Sequence, residues 1–237
     1  MKFPSALSGL TVIALPVAFS MRTPLERVAS VPPVPFAADP SINVAGIYAA
    51  ALASNTETLA TYPTAPERKF FSNIYGDWQH FLNVSAFHFI ADMDVDCDGP
   101  KDHCKGNRDG QTATSFGALD ATEVPYFVLP EKFTIQYKSI LKDNALGAII
   151  CGSKMLYGIY GDQDADSPQV IGEASILIAQ TCFPGADGNN GHAASDVAYI
   201  VFGSEVPTGI EKNSIDIPAL KALGDEQMML LQKALGL

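Results

Sequence analysis

Two acids stand at the edges of apolar runs in the second half of the chain. Asp162 closes Tyr157-Gly158-Ile159-Tyr160-Gly161-Asp162, which places an acid just past a run that reads as buried strand. Glu173 sits in Gly172-Glu173-Ala174-Ser175 and opens the apolar segment Ile176-Leu177-Ile178. A polar loop separates them, so both are expected at element ends facing one loop-lined cleft. Such a pair suits the hydrolysis of a glycosidic bond: one acid protonates the departing oxygen while the other carboxylate activates water or attacks carbon. Acids in loops are also common as merely solvated groups, so spacing alone leaves the functional and the structural reading open.

A second acidic run, Asp92-Met93-Asp94-Val95-Asp96-Cys97-Asp98-Gly99, admits two readings. Asp94, Asp96, Asp98 and Gly99 match the opening of an EF-hand, but the twelfth loop position is Lys105 where a bidentate glutamate is required. As a strand, the run projects Asp92, Asp94, Asp96 and Asp98 from one face and Met93, Val95 and Cys97 from the other. A row of carboxylates is costly through mutual repulsion unless a cation neutralises it, and protonated glucosamine units are cations of suitable spacing. Asp92, Asp94 and Asp96 are therefore candidate substrate-binding residues, with Tyr160 as a ring able to stack on sugar. His192, after Asn189-Asn190-Gly191, is a further candidate to line the cleft, although a loop histidine equally reads as a hydrogen-bonded structural residue.

Other chemistries find less support. Ser153 lies in Cys-Gly-Ser-Lys without a G-x-S-x-G elbow, and no phosphate-cradling or dinucleotide fingerprint occurs. A zinc site lacks a paired C-x-x-C knuckle. Neither cofactor nor metal is expected. The four cysteines, Cys97, Cys104, Cys151 and Cys182, form an even set that reads as two disulfides in an oxidising compartment. Three pairings are open, with Cys97–Cys104 and Cys151–Cys182 favoured.

The formal charge of -11 leaves no basic surface to follow a phosphate backbone, which argues against nucleic acid as partner and suits a polycation. Residues 1–20 read as a secretory signal, with Lys2 at the positive end, an apolar run from Leu7 to Phe19, and Ala18-Phe19-Ser20 as cleavage site. Lys2 is the one charged residue in that stretch, so its removal leaves 14 basic against 26 acidic side chains, a net charge of -12. A secreted, extracellular monomer without stable membrane association is expected once the signal is cleaved. Asn83-Val84-Ser85 is a glycosylation sequon on a glycosylating route.

Residues 21–40 carry Pro24, Pro32, Pro33, Pro35 and Pro40 and read as an extended leader, followed by a single domain over 41–237. Ser41 is the expected cap of a helix through about Leu52. Between Lys69 and Ile90 the aromatic residues are frequent without a clean period. Strands are predicted at Tyr126–Leu129, at Ala148–Cys151 and Met155–Tyr160 around a Gly152-Ser153 turn, and at Val197–Phe202. A helix is predicted from Ile217 to Leu237, with Leu220, Leu223, Leu230, Leu231 and Leu235 facing the body. The fold class is mainly β (α+β): a compact β-barrel or sandwich with peripheral N- and C-terminal helices.

The chain resembles the fungal-type chitosanases of glycoside hydrolase family 75 through ordered motifs between about Phe89 and Phe202. These are Met93-Asp94-Val95-Asp96-Cys97-Asp98-Gly99, Gln111-Thr112-Ala113, Pro125-Tyr126-Phe127-Val128, Tyr157 to Asp162, Gly172 to Ser175, Cys182-Phe183-Pro184 and Gly191-His192. The resemblance implies Asp162 and Glu173 as the catalytic pair, endo-cleavage of β-1,4-linked glucosamine in chitosan with inversion, and a barrel similar to the double-psi type. Inversion requires carboxyl groups roughly 6.5 to 9.5 Å apart. Glu173 is assigned as acid and Asp162 as base. Tyr160 stands where the family has tryptophan, the N-terminal cysteine pair of many members is absent, and Asp164 and Asp166 are rival bases. A noncatalytic chitosan- or wall-binding protein and a hydrolase of neutral glucans are the alternatives on the same scaffold.

Overall fold

Runs rich in valine, isoleucine and aromatic residues extend where the chain alternates or is apolar on both sides, and eight of them pair in one sheet. The computed structural model describes residues 1, 33–67, 69–100, 104 and 110–237; the expected signal and residues 21–32 of the leader lie outside them. Residues Pro33–Leu237 form one compact unit.

The strands are β1 (Thr58–Pro63), β2 (Phe71–Tyr75), β3 (Phe87–Asp96), β4 (Tyr126–Pro130), β5 (Leu146–Cys151), β6 (Lys154–Asp164), β7 (Glu173–Ser175) and β8 (His192–Phe202). Their order is β1-β2-β3-β7-β4-β6-β5-β8, and β8 also pairs with β3. That last pairing closes β3, β7, β4, β6, β5 and β8 into a six-stranded mixed barrel of the kind expected, leaving β1 and β2 as a hairpin attached to β3. Closure removes the open edges that a sheet of this size otherwise exposes. The β5–β6 hairpin forms where Gly152-Ser153 separates the two runs, with Cys151 opposite Lys154.

Side chains from every barrel strand fill the interior: Phe89, Phe127, Ile149, Leu156, Ala174 and Tyr199 are each at most 1 % exposed. Of the aromatic cluster before β3, Trp78, Phe87 and Phe89 are buried, whereas Phe70 and Phe71 are exposed. Both favoured disulfides are present: Cys97–Cys104 staples the chain just past β3, and Cys151–Cys182 ties the β5–β6 turn to the end of α3 (Ile176–Cys182).

Helix α1 (Val44–Ala53) begins later than the sequence suggests, because Asn43 rather than Ser41 accepts from the Gly46 amide (2.9 Å), while the Ser41 amide is taken by Asp39 Oδ1 (2.9 Å). Helix α2 (Glu131–Tyr137) follows β4 directly. Helix α4 (Ile217–Ala234) is capped by Asp216 on the Ala219 amide (3.0 Å) and buries Leu220, Met228 and Leu231. One residue of α4 gathers three partners. Asp225 Oδ1 accepts from the Tyr157 hydroxyl (2.8 Å) and the Asp39 amide (2.9 Å), and Oδ2 pairs with Lys221 Nζ (2.7 Å).

Tyr157 is fully buried, so loss of its acceptor strands a hydroxyl inside the protein. Asp225→Ala is expected to lower unfolding free energy by roughly 2–3 kcal/mol in urea titration. The loss should shrink in a Tyr157→Phe background, and equal losses in both backgrounds would show that the hydroxyl is not the origin.

Candidate active site

The acidic run is strand through Asp96, and its pairing carries it straight onto the second acid. β3 runs parallel to β7 with Asp94 opposite Glu173 and Asp96 opposite Ser175. β7 runs antiparallel to β4 with Glu173 opposite Val128, and β4 runs parallel to β6 with Val128 opposite Asp162. Asp94, Glu173, Val128 and Asp162 thus form one row across four strands.

Two glycines make this row possible. Between Phe127–Tyr160 and Val128–Asp162 the register of β6 slips by one residue, Gly161, forming a bulge. A Cβ at Gly161 would lie 2.6 Å from the Cβ of Tyr126, so only glycine lets β6 pass this close to β4. Gly172 has φ +105°, and a Cβ there would meet Asp92 Oδ1 at 2.5 Å. Its carbonyl accepts from the Asp94 amide at 2.7 Å, which docks the start of β7 on β3.

The cleft has a volume of about 190 Å³ and includes Asp96, Asp98, Asp162, Asp164, Asp166 and Glu173 among its lining residues, with Gln111 and Gln163 beside them. None of its lining residues, among those described, is basic. Asp162 is 6 % exposed, and its Oδ1 accepts from the Ser115 amide (2.8 Å), the Ser115 hydroxyl (2.6 Å) and the Gln163 amide (2.7 Å). Burial pushes the Glu173 carboxyl well above the usual carboxylate range, and Asp96, Asp94, Asp164 and Asp162 push it the same way by repulsion. Asp96 is raised to about 7 by burial and then by the charge of Asp98. Asp98 is raised to about 6 by burial and by Asp162. Glu173 therefore holds a proton where an ordinary glutamate would have lost it.

The expected residues do not all meet in this cleft. Asp96, Asp162 and Glu173 do. Asp94 is half-buried beside Glu173, and its carboxyl is raised by burial and by Glu67 of the β1–β2 connection. Asp92 lies further along β3, 7 % exposed, with Oδ1 unpartnered and its carboxyl raised to about 7 by burial and by Asp94. Tyr160 is 1 % exposed; its ring packs edge-on against Phe116 and its hydroxyl accepts from Gln163 Nε2 (2.5 Å), so it presents no open face to a sugar. His192 stacks on Phe183 and bonds Asp196 (2.7 Å), outside the cleft lining. Of the rival bases, Asp164 is occupied by the amides of Asp166 and Val170, while Asp166 is exposed.

Asp98, Ser115 and Gln163 are the site residues that sequence reasoning passed over. Asp98 stood in the acidic run and Gln163 next to Asp162, whereas no local signal marked Ser115. Asp96, Asp98 and Asp162 each bring one oxygen within 4.8 Å of the others, the one grouping among the described residues with the spacing of a cation site.

A closed mixed barrel with carboxylates drawn to one cleft defines the molecule's class. The chain belongs to the family described as fungal chitosanase of glycosyl hydrolase group 75, whose profile matches residues 93–227 and so takes in both acids. It is 50 % identical over 210 residues to Endo-chitosanase C of Aspergillus oryzae, covering 85 % of this chain and 55 % of that protein. An Endo-chitosanase of Aspergillus fumigatus is 31 % identical over 193 residues, covering 68 % of this chain and 77 % of the relative. The chain thus spans little more than half the length of the Aspergillus oryzae protein.

Burial raises the proton affinity of Asp92, Asp96 and Asp98 above that of the unfolded chain, so the folded state binds more protons between about pH 4 and pH 7. Their contribution to stability is full below the unfolded pKa and is lost as pH rises through the folded values. The urea midpoint of the protein should fall between about pH 5 and pH 8, and Asp96→Asn should flatten that fall. A wild-type midpoint that rises over this interval would contradict protonation of these three acids in the folded state.

Proposed function

We propose that the protein is a secreted endo-chitosanase that cleaves β-1,4-glucosamine linkages by an inverting mechanism, with Glu173 as general acid and Asp162 as general base. The observation that carries the reading is the contrast between two acids in one cleft. Burial and the like charges around it keep Glu173 protonated, while three donors converge on Asp162 Oδ1 and fix that side chain in the same cleft.

The row across the strands supports inversion. Glu173 and Asp162 are separated by β4 alone, two interstrand spacings or roughly 10 Å between backbones, which leaves room for a water between carboxyl groups. In the reaction Glu173 gives its proton to the glycosidic oxygen as the bond from that oxygen to the anomeric carbon breaks. Asp162 takes a proton from the water whose oxygen forms the new bond to the same carbon, from the opposite face. The products carry one new reducing end, and solvent restores both protonation states.

Chitosan fits as substrate because its ammonium groups are the counter-charge that the acidic lining calls for. Export as a monomer accords with the net charge, the N-terminal signal pattern and the two disulfides.

Asp162→Asn and Glu173→Gln are each expected to lower the rate on glucosamine oligomers by about 100-fold or more, and anomeric NMR of wild-type digests should show inverted product. Chitosan binding without release of reducing ends by the wild type would overturn the reading in favour of a noncatalytic binder.

A further inference from the structure

Asp162 is held in place by a segment outside the barrel strands. Ser115 belongs to the irregular stretch 110–118, is itself exposed, and reaches Asp162 across 47 positions of sequence. Its amide and its hydroxyl both donate to Oδ1, at 2.8 and 2.6 Å. The Gln163 amide, which donates to the same Oδ1 at 2.7 Å, also reaches Ser115 Oγ at 3.2 Å. A hydroxyl that accepts on one side has its proton turned to the other, so the Gln163 amide aims the Ser115 proton at the carboxylate.

All three bonds fall on one oxygen and Oδ2 receives none of them, the Asp98 carboxyl being a further hydrogen-bonding neighbour of the Asp162 side chain. Gln163 is fixed in turn, because its Nε2 donates to Tyr160 Oη (2.5 Å) and Thr134 Oγ1 (2.8 Å). The Ser115 segment has its own anchors: Gln111 N to Asp98 Oδ1 (2.6 Å), Gly117 N to Thr114 O (3.2 Å) and Ala118 N to Lys212 O (2.8 Å). Removing the hydroxyl therefore leaves the segment tied at both ends.

The geometry points to Ser115 as a positioning residue: by occupying Oδ1 it locks the Asp162 side chain so that Oδ2 is the oxygen offered to the attacking water. This rests on the reading of Asp162 as general base. A carboxylate free to rotate would present either oxygen over a range of angles, and misalignment of this kind lowers the rate of the chemical step more than it weakens substrate binding.

The test compares Ser115→Ala, Ser115→Thr, Asp162→Asn and the double variant Ser115→Ala/Asp162→Asn on glucosamine oligomers, with thermal unfolding followed in parallel. Ser115→Ala keeps the amide donor and loses only the hydroxyl, a bond to a charged group, so kcat should fall about 10- to 100-fold with KM changed less than about twofold. Ser115→Thr restores the hydroxyl and should recover most of the rate. The double variant should be no slower than Asp162→Asn alone. Wild-type kcat in Ser115→Ala, a threonine variant as slow as alanine, or a loss carried by KM would overturn the role of Ser115 while Asp162→Asn stays inactive. Retained activity in Asp162→Asn would instead remove the base on which the role depends.

Discussion

Ionised carboxylates a few ångströms apart in a poorly solvated crevice repel by about 4 kcal/mol per pair at an effective dielectric near 20, while holding a proton one pH unit beyond its ordinary range costs only about 1.4 kcal/mol. That inequality governs this cleft, where six acidic side chains line a space of about 190 Å³. The group cannot be fully charged, so protons settle where burial and repulsion combine, at Glu173 and Asp96. Asp162 is set apart by amide and hydroxyl donors that none of the other five acids of the cleft collects on a single oxygen. In the proposed mechanism, it is this difference in surroundings between chemically similar acids that lets one give a proton while another takes one.

The barrel produces this differentiation through strand pairing. β7 is only three residues long, yet it is wedged between β3 and β4, so Glu173 faces the acids of β3 on one side and the β4–β6 pair on the other. The connection from β3 to β4 brings Ser115 to Asp162, and the connection from β6 to β7 brings Ala165 and Asp166 to the cleft. Fold and chemistry are therefore linked at the level of register: a one-residue slip in β6 would carry Asp162 to the opposite face of the sheet.

Much of this was legible in the residues. The β5–β6 hairpin announces itself because Gly152-Ser153 interrupts two apolar runs, and β7 and α3 start close to where Glu173 precedes Ile176. The alternating acids of 92–98 do extend as strand through Asp96. Tyr160 was misleading for a physical reason: its motif position suggests a sugar platform, but the Gly161 bulge separates its course from that of Asp162 and turns the ring into the core. The α1 cap moved from Ser41 to Asn43 because Asp39 already holds the Ser41 amide. Ser115 was invisible because its partner is distant in sequence, and no local pattern encodes a contact made only by closing the barrel.

The hub at Asp225 makes the two ends of the compact unit depend on each other. It joins α4, the C-terminal helix, to Asp39 and to Tyr157, near the start of β6, and the Asn43 amide adds a bond to Gln232 Oε1 (2.7 Å). The segment that leads into α1 and the C-terminal helix are thereby clasped to one another. Asp162 lies at the far end of the same strand, on the order of 20 Å away from Met155 along an extended backbone. Loosening either end at the Asp225 hub therefore frees the other as well.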